Sequence, residues 1–318
     1  MDKAGNLYGT ASAGGKYGGG VVFELIHTAL AYTYVDIYDF CSVKQGVFCL
    51  DGNNPLANVV MDPAGNLYGT TSMGGVYGGF GAGVVFRLIS GGPFKWHPQT
   101  LHVFCKDGVF ACVDGISPKA GVILDDQGNV YGTTEGGGAN GKGTVFQLAA
   151  GTWEPYILYD FCSKSGCVDG ANPRAPVAFN SNGFLYGTTF HGGIPDAYGG
   201  HGVVFTLVHS DKWHETTVYW FCMQQGCADG SNPQGGLVFD LRNNVYGTTY
   251  AGGAQGSGVL FKLNQLWQPT ILHPFCGQQS CNDGAQPAAG LIQDPQGYLY
   301  GTASARGANI AGTVFRYP

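Results

Sequence analysis

A tripeptide, Tyr-Gly-Thr, recurs six times along the chain at intervals of 54 to 63 residues. The tyrosines that begin the copies are Tyr8, Tyr68, Tyr131, Tyr186, Tyr246 and Tyr300. This period constrains the fold more than any other feature of the sequence. Each repeat must form one supersecondary unit and bury its apolar face against its neighbours.

Each repeat contains four short apolar segments bounded by Gly, Pro, Asn or Asp, which is typical of strands joined by turns. In the second repeat these segments are 56–61, 66–70, 84–88 and 101–104, and we designate them strands A to D. No segment keeps a 3.6-residue period over a helical length. The pattern predicts an all-β protein, a β-propeller of about six four-stranded blades with the first and last incomplete and no significant helix. A solenoid with repeats this long would usually contain helices, and a β-sandwich would not repeat its sequence.

We expect residues 1–318 to form a single domain. Its approximate repeats are 1–55, 56–118, 119–173, 174–233, 234–287 and 288–318. Successive strands of a blade alternate in direction. The D–A and B–C loops should therefore share one face, and the tight A–B turns, such as the one at Asp62, should lie opposite.

The first repeat begins inside its A–B turn, and the last stops after its C strand at Tyr317. The missing strands form one contiguous D-to-A stretch. We therefore expect that Met1 is not the natural start and that a signal peptide lies upstream. If 318 residues are the whole chain, we expect an open blade edge that invites pairing with another chain.

Ten cysteines form five pairs, one in each D–A loop. The pairs are Cys41 with Cys49, Cys105 with Cys112, Cys162 with Cys167, Cys222 with Cys227, and Cys276 with Cys281. An even count at recurring spacing predicts disulfides and an extracellular, periplasmic or cell-surface location. The alternative is metal binding, but each loop offers two thiols and no histidine at zinc spacing. We expect these disulfides to shape their face rather than to join blades.

The composition excludes several classes of protein. Glycine is 55 of 318 residues, about twice its usual share, which suits short strands and tight turns. Hydrophobic residues make up 44% of the chain, which argues against disorder. The net charge of −6 without a basic cluster argues against a nucleic-acid partner. No window has the roughly 18 apolar residues of a membrane helix.

The repeat resembles the bacterial tandem repeat named GloVer. That motif is an apolar strand, Asp-x-x-Gly-Asn-Leu-Tyr-Gly-Thr-Thr, a Gly-Gly loop and Gly-Thr-Val-Phe, and residues 62–71 and 143–146 match it closely. The resemblance covers the whole chain and implies export and a repeat fold, but no activity. More loosely, strand A with Asp-x-x-Gly-Asn-Leu-Tyr looks like blades of six-bladed propeller lactonases of the gluconolactonase and paraoxonase type. Those enzymes hold calcium in the central channel.

Five aspartates each follow the second cysteine of a pair by two residues and precede a glycine. They are Asp51, Asp114, Asp169, Asp229 and Asp283. One interpretation is a turn in which Asp caps the backbone, Gly adopts a positive φ and Pro begins the next strand. The other is a ring of carboxylates at the channel mouth that binds Ca²⁺, which takes six to eight oxygen ligands. The spacing matches no EF-hand loop, and both interpretations stay open.

Four reactive side chains interrupt the repeat pattern in the B–C loops, and they are our candidate catalytic residues: Glu135, His191, His201 and Arg306. A carboxylate, an imidazole and a guanidinium on one face could transfer protons and stabilise an oxyanion. The alternative is an exposed loop that varies freely. No Gly-x-Ser-x-Gly, His-Glu-x-x-His or phosphate-binding Gly-Lys-Ser/Thr motif is present. His102 and His273 on the D strands favour a packing role.

Tryptophans recur in the C–D connections, at Trp96, Trp153, Trp213 and Trp267. They either stack on sugars or, as we favour, pack neighbouring blades together. Three function classes stay open: a calcium-dependent hydrolase of a lactone or ester, an extracellular carbohydrate-binding or adhesion module, and a structural subunit that pairs through an open edge. We predict the hydrolase, with a small-molecule ligand, because the acidic mouth and the Glu135/His191 pair define a testable site.

Overall fold

A computed structural model of the chain describes residues 1–75, 81–92, 95–106, 112–194 and 199–318. These residues form two compact units, Met1–Asp160 and Phe161–Pro318. In the described residues, each unit contains three antiparallel blade sheets, one per repeat, whose strands are paired in chain order. The predicted all-β propeller class with six blades is confirmed.

The first unit consists of sheets β1-β2-β3, β6-β7-β8-β9 and β10-β11-β12-β13, with a small hairpin, β4-β5, in its first cysteine loop. The strands are β1 (Leu7–Ala11), β2 (Val21–His27), β3 (Tyr32–Asp39), β4 (Lys44–Gln45), β5 (Phe48–Cys49), β6 (Val60–Met61), β7 (Leu67–Thr71), β8 (Val84–Ser90), β9 (Trp96–Val103), β10 (Ile123–Leu124), β11 (Val130–Thr134), β12 (Thr144–Leu148) and β13 (Pro155–Asp160).

The second unit consists of sheets β14-β15-β16-β17, β18-β20-β21-β22 with β19 beside β20, and β23-β24-β25. The strands are β14 (Ala178–Phe179), β15 (Leu185–Thr189), β16 (Val203–His209), β17 (Trp213–Trp220), β18 (Ser231–Pro233), β19 (Val238–Phe239), β20 (Val245–Ala251), β21 (Val259–Leu263), β22 (Pro269–Pro274), β23 (Ile292–Gln293), β24 (Leu299–Ala303) and β25 (Thr313–Tyr317). Single 3-10 turns occupy Ser165–Cys167, Gln225–Cys227 and Gln279–Cys281 in the cysteine loops.

Strand A is shorter than the sequence predicts. Only two of its residues pair with strand B, as in Val60–Met61 against Leu67 and Tyr68. The chain before these two residues bonds to the preceding blade instead. The Thr10 hydroxyl donates to the Ala57 carbonyl at 2.8 Å, and the Thr70 hydroxyl donates to the Ala120 carbonyl at 2.7 Å. The threonine of Tyr-Gly-Thr thus links consecutive blades.

The glycine of Tyr-Gly-Thr makes room for a phenylalanine of strand C in the same blade. A Cβ on Gly132 would lie 2.5 Å from Phe146 Cζ and 3.2 Å from Val122 Cγ1. The other five copies show the same close approach to a strand C phenylalanine. Phe146 is almost completely buried, so any side chain at this glycine would displace the core.

Aromatic pairs join consecutive blades within each unit. The Trp96 ring centroid lies 6.0 Å from that of Tyr8 in the preceding blade, and the Trp267 centroid lies 5.7 Å from that of Tyr186. These contacts confirm the packing interpretation for Trp96, Trp153 and Trp267. Such pairs each contribute about 0.5–1.5 kcal/mol beyond the apolar area they bury.

In five of the six repeats the A–B turn is closed by an aspartate that accepts hydrogen bonds from its own turn, and in the fourth repeat Asn180 takes this place. Asp62 Oδ1 accepts from the backbone N–H of Ala64 and of Asn66, each at 2.9 Å. Its Oδ2 accepts from Asn66 Nδ2 at 2.7 Å and from the Tyr68 hydroxyl at 3.1 Å. The Asp-x-x-Gly-Asn-x-Tyr part of the repeat is therefore a structural hydrogen-bond network.

This network predicts a pH-dependent contribution to stability. Burial raises the pKa of Asp62, but hydrogen bonds from Asn66, Tyr68 and Ala64 outweigh it and leave the pKa below its ordinary value of 3.8. A lowered folded-state pKa means that the stabilisation is present above the unfolded-state pKa and is lost as the pH falls through the folded-state value. We expect Asp62→Asn to lower the free energy of unfolding by about 1 kcal/mol at pH 7.

The measurement is urea denaturation of the wild type and Asp62→Asn between about pH 7 and about pH 2.5. The difference between them should shrink as the pH falls below about 4. Asp126→Asn, at an exposed position of another A–B turn, is the control. A difference that is constant across the pH range would contradict the assigned role of the carboxylate.

Candidate functional site: the cysteine-loop face

In each unit, the D–A loops and the B–C loops lie against one another, as strand alternation predicts. We call the surface formed by these two sets of loops the cysteine-loop face. The carbonyl of each second cysteine accepts from a B–C loop glycine of the following blade, at distances of 2.8 to 3.1 Å. The N–H donors and their acceptors are Gly75 to Cys49, Gly138 to Cys112, Gly193 to Cys167, Gly253 to Cys227, and Gly307 to Cys281.

The cysteine loops also bond to the preceding blade. The Asn54 N–H donates to the Gly19 carbonyl at 2.9 Å, and the Asn232 N–H donates to the His201 carbonyl at 2.7 Å. These donors adopt left-handed φ angles of 62° for Asn54 and 56° for Asn232. The disulfides themselves close within single loops, and the backbone of these two loops adds hydrogen bonds to the preceding blade.

All five predicted cysteine pairs are disulfides, and no free cysteine is present among the described residues. The bonds join Cys41 to Cys49, Cys105 to Cys112, Cys162 to Cys167, Cys222 to Cys227, and Cys276 to Cys281, at sequence separations of 8, 7, 5, 5 and 5 residues. Metal binding by these thiols is thereby excluded. The disulfides indicate an oxidising environment. They also limit the conformations of the loops that carry the five aspartates.

The second disulfide closes a loop that the structure describes only at its two ends. Cys105 and Cys112 lie on either side of residues 107–111, which fall outside the described residues. The bond between the two cysteines is nevertheless the predicted one. The Cys112 carbonyl accepts from the N–H groups of Gly115, at 3.0 Å, and Gly138, at 2.8 Å. This cysteine therefore ties its own loop to the following blade, which the sequence-based expectation for the pair did not include.

Removal of one disulfide should have a moderate effect, because the closed loop is short. We expect the double variant Cys222→Ala/Cys227→Ala to lower the free energy of unfolding by about 2 kcal/mol. The measurement is equilibrium urea denaturation without reductant. The wild type treated with reductant should lose more, since all five loops open. A double variant as stable as the wild type would show that the backbone hydrogen bonds alone hold this loop.

The five aspartates close their own cysteine loops. Asp229 Oδ1 and Oδ2 accept from the N–H groups of Gln224 and Met223, at 3.1 and 3.0 Å. Asp114 accepts from the N–H of Cys105, and Asp283 accepts from the N–H groups of Gly277 and Gln278. The glycine after each aspartate has a φ between 85° and 107°. The turn interpretation is thus supported, although the carboxylates cap backbone across the loop rather than within the turn.

Several of these carboxylates also bond to a tyrosine or histidine side chain on strand D. The Tyr219 hydroxyl donates to Asp229 Oδ2 at 2.6 Å, and Tyr38 donates to Asp51 Oδ2 at 2.7 Å. His102 and His273 Nε2 lie 2.9 Å from Asp114 and Asp283. These histidines therefore have the structural role that we favoured. Sequence reasoning missed the shared position, although a tyrosine or histidine always precedes Phe-Cys by two residues.

Among the described residues of each unit, no group of three carboxylates brings its oxygens close enough together to hold one calcium ion. There, one group of three His, Cys, Asp or Glu residues brings its ligand atoms within 4.8 Å of one another, namely His201, Cys222 and Cys227. The two sulfurs of that group are bonded to each other and are not thiolate ligands. The predicted carboxylates already accept several N–H and O–H donors. Calcium binding stays a prediction, and we derive no chemistry through it.

Glu135, the candidate carboxylate, is engaged in an ion pair. Its Oε2 lies 2.7 Å from Lys119 Nζ, and its side chain is largely buried. Its backbone N–H donates to the Ser117 carbonyl at 3.1 Å. The cysteine loop that contains Lys119 and the B–C loop that contains Glu135 are thus tied together in the first unit.

The other three candidates lie in the second unit. The backbone of His191 pairs with Ala171 as a bridge, and its ring meets Phe190 edge-on at 4.7 Å. His201 accepts from Asn232 through its carbonyl. Arg306 has a left-handed φ of 64° at a position where the other repeats have glycine, a conformation that costs roughly 1–2 kcal/mol for a residue with a Cβ. His191 and His201 lie in the B–C loop of the fourth repeat, and Arg306 lies in that of the sixth.

Exposed apolar side chains also lie on the cysteine-loop face. In the first unit, Val47, Phe48 and Met73 are 86%, 36% and 45% exposed and line a groove of about 270 Å³ with Asn53 and the Gly74–Gly75 pair. In the second unit, Ile194, Met223 and Ile310 are exposed on equivalent loops. Large apolar side chains in glycine-rich loops are the sequence signal for this surface, and a search for reactive groups alone misses them.

The comparisons with known proteins agree with the repeat and the fold. The model of the Gloeobacter/Verrucomicrobia repeat matches residues 1–200 and 195–318, which confirms the resemblance inferred from the motif. No curated protein matches the chain. No helix among the described residues has the length and apolarity that crossing a membrane requires.

Several solved structures are similar at low sequence identity, which shows the fold alone. A structure of the nidogen/laminin complex has a TM-score of 0.54 at 14% identity and covers 98% of this chain and 93% of that chain. A putative 6-phosphogluconolactonase from Bacteroides uniformis has a TM-score of 0.53 at 12% identity, with 98% and 80% covered. TolB from Acinetobacter baumannii has a TM-score of 0.54 at 9% identity, with 99% and 61% covered.

Proposed function

Because the chain belongs to the Gloeobacter/Verrucomicrobia repeat family, we propose that it is a non-catalytic recognition module that binds a protein partner through its cysteine-loop face. This is the binding and adhesion class of the three functions considered, placed in an oxidising compartment outside the cytoplasm. The observation that carries the proposal is the exposed apolar groove at Val47, Phe48 and Met73. Exposed apolar surface of this kind is typical of interaction sites.

The groove is built on loops whose shape is restrained. The Cys41–Cys49 disulfide closes the loop that carries Val47 and Phe48. The Cys49 carbonyl accepts from the Gly75 N–H at 2.8 Å, which ties this loop to the B–C loop of Met73. A restrained surface loses little conformational entropy when it binds, and that favours affinity.

The polar groups of the face support recognition over hydrolysis. Glu135 is paired with Lys119, and the five aspartates accept hydrogen bonds from their own loops. Hydrolysis needs a general base within reach of a substrate. A carboxylate that already stabilises the fold through several donors is poorly available for that role.

A protein partner is favoured over a carbohydrate by the positions of the tryptophans. Sugars are held by aromatic rings that stand free at a surface, whereas Trp96, Trp153 and Trp267 pack on tyrosines of the preceding blade. The groove is lined by valine, phenylalanine and methionine. Phenylalanine and methionine are enriched at protein interfaces, and methionine adapts to irregular surfaces.

Site-specific photo-cross-linking tests this proposal. A photoreactive amino acid replaces Phe48 in the groove, or Leu30 in the C–D turn of the same unit, where it is exposed. On intact cells of the source organism, we expect a cross-linked protein from position 48, none from position 30, and loss of the product when Met73→Asp places a charge in the groove. Equal products at both positions, or none at position 48, would overturn the proposal.

Enzyme assays address the hydrolase prediction directly. Lactones and esters are offered to the protein with calcium and with a chelator. We expect no turnover in either condition. Hydrolysis that is abolished by the chelator and by Glu135→Gln would show that the protein is catalytic and would replace the proposed function. A glycan array covers the carbohydrate alternative, and Met73→Asp should leave any sugar signal unchanged if the sugar binds elsewhere.

A further inference from the structure

A cavity of about 370 Å³ lies between the first two blades of the first unit, at the end of the strands that carries the A–B turns. Its lining includes Asp2, Asn6, Tyr8 and Glu24 from the first blade, and Met61 and Trp96 from the second. It is separate from the cysteine-loop face, which lies at the other end of the strands.

Two carboxylates in this cavity share a single hydroxyl proton. The Tyr8 hydroxyl lies 2.8 Å from Glu24 Oε1 and 3.0 Å from Asp2 Oδ2, and it can donate to only one of them at a time. Burial and the hydrogen bonds to Glu24 and Asp2 raise the pKa of Tyr8, so the phenol stays protonated and supplies no positive charge.

Glu24 is a buried carboxyl group without a cationic partner. It is 7% exposed, and among the described residues no lysine, arginine or histidine lies within ion-pair distance of Glu24 or Asp2. A buried carboxylate without a counter-charge is unfavourable. The cavity therefore favours an incoming cation.

The next pair of blades shows which kind of cation fits this environment. Arg87 occupies the position that corresponds to Glu24, directly after the strand C phenylalanine. Its guanidinium carbon lies 5.4 Å from the ring centroid of Tyr68 and 5.9 Å from that of Trp153. The Tyr68–Trp153 pair, with centroids 6.2 Å apart, corresponds to Tyr8–Trp96 at 6.0 Å.

Between the second and third blades, the chain supplies its own guanidinium group. Between the first and second blades, it supplies a carboxylate beside an open cavity. Lys262 shows the same preference in the fifth blade, where its ammonium lies 5.4 Å from the ring centroid of Tyr246. Cation–π contact with the ring faces and a charge-assisted hydrogen bond to Glu24 would act together on one ligand group, whereas Asp2 already accepts from the N–H groups of its own turn.

We propose that this cavity is a binding site for a ligand that carries a guanidinium group, such as an arginine side chain of a peptide or a small free guanidinium compound. The guanidinium lies beside the Tyr8–Trp96 pair, as that of Arg87 lies beside the Tyr68–Trp153 pair, and bonds to Glu24.

Isothermal titration calorimetry of the full chain tests the site with four probes. These are methylguanidinium, N-acetyl-arginine-amide, the tripeptide Gly-Arg-Gly and N-acetyl-citrulline-amide, the neutral analogue of arginine. We expect the arginine probes to bind with millimolar affinity or better and the citrulline probe to bind at least about tenfold more weakly. Binding of methylguanidinium without the tripeptide would assign a free compound, and binding of both would admit a peptide.

Two substitutions at Glu24 locate the site. Glu24→Arg reproduces the arrangement at Arg87, so we expect it to fill the cavity, abolish binding and leave the protein folded. Glu24→Gln keeps the shape and should weaken binding at least about tenfold. Asp126→Asn removes a negative charge from an exposed A–B turn of the same unit and should bind like the wild type.

Three results would overturn the proposal: equal binding of the citrulline and arginine probes, unchanged binding in Glu24→Arg, or no binding of any probe at millimolar concentration. Thermal unfolding of each variant shows whether it is folded. If Glu24→Arg fails to fold, Glu24→Gln carries the test, because it changes charge without changing volume.

Discussion

Asp229→Ala is expected to lower the free energy of unfolding by about 3–5 kcal/mol. Asp229 is completely buried and accepts from Tyr219, Met223 and Gln224 at 2.6 to 3.1 Å. Its removal leaves a buried hydroxyl and two N–H groups without an acceptor and opens a cavity in the cysteine loop.

Urea denaturation measures this effect, and Asp211→Ala is the matched control. Asp211 is in the same unit, and its side chain is 79% exposed, so its loss should change stability by less than about 0.5 kcal/mol. Tyr219→Phe should cost about 1–2 kcal/mol, and the double variant should be less destabilised than the sum of the two single variants because they share one hydrogen bond.

The same variant decides between the two interpretations of the aspartates. If Asp229 closes the loop, Asp229→Ala is destabilised with or without calcium. If Asp229 is a calcium ligand, the wild type should become more stable when calcium is added and Asp229→Ala should not. A variant as stable as Asp211→Ala would contradict the structural role.

Gly132→Ala is expected to lower the free energy of unfolding by about 3 kcal/mol, because the new Cβ would lie 2.5 Å from Phe146 Cζ. The backbone at Gly132 is held by β-pairing with Phe146 on strand β12, so it cannot retreat. The phenylalanine must shift within a core that also contains Val122 and Leu148.

A double-mutant cycle with Phe146→Leu tests the cause. Phe146→Leu alone should destabilise by about 1–2 kcal/mol through lost packing. It should also remove the close contact that the methyl group introduced by Gly132→Ala would make, so the double variant should be more stable than the two single effects predict. Gly141→Ala is the control for alanine without a clash: nothing lies within 4 Å of its Cβ, so its cost should be only the roughly 1–2 kcal/mol of its left-handed φ of 69°, and it should be additive with Phe146→Leu. If the effects of Gly132→Ala and Phe146→Leu on the free energy of unfolding are additive, the close contact with Phe146 is not the cause of the lost stability.

Much of the fold could be predicted because the six repeats can be compared with one another. The six Tyr-Gly-Thr copies indicate the number of blades, the strand order within each blade and the loops that share a face. The five cysteine pairs could be read from their spacing. These features depend on local chain direction and turn geometry, which short stretches of sequence specify.

Sequence reasoning did not reach the contacts that a residue makes with a neighbouring loop or blade. Strand A is short because Ala57 and Ala120 bond to threonines of the preceding blade. Glu135 is a candidate because of its reactivity, but its carboxylate is paired with Lys119 on an adjacent loop. The contrast between Glu24 and Arg87 at one repeat position is visible in the sequence, but the cavity beside Glu24 depends on Trp96 of the next blade.

The sequence by itself determined the repeat, the β class and the disulfide pairing, since all three depend on spacing along one chain. The tertiary structure decided what the polar residues do. Partners of a side chain come from strands and loops 50 or more residues away, as in Thr70 and Ala120. Burial sets whether a carboxylate is a cap, an ion pair or a group without a cationic partner. Asp229, Glu135 and Glu24 are chemically similar groups in three such environments, and only packing distinguishes them.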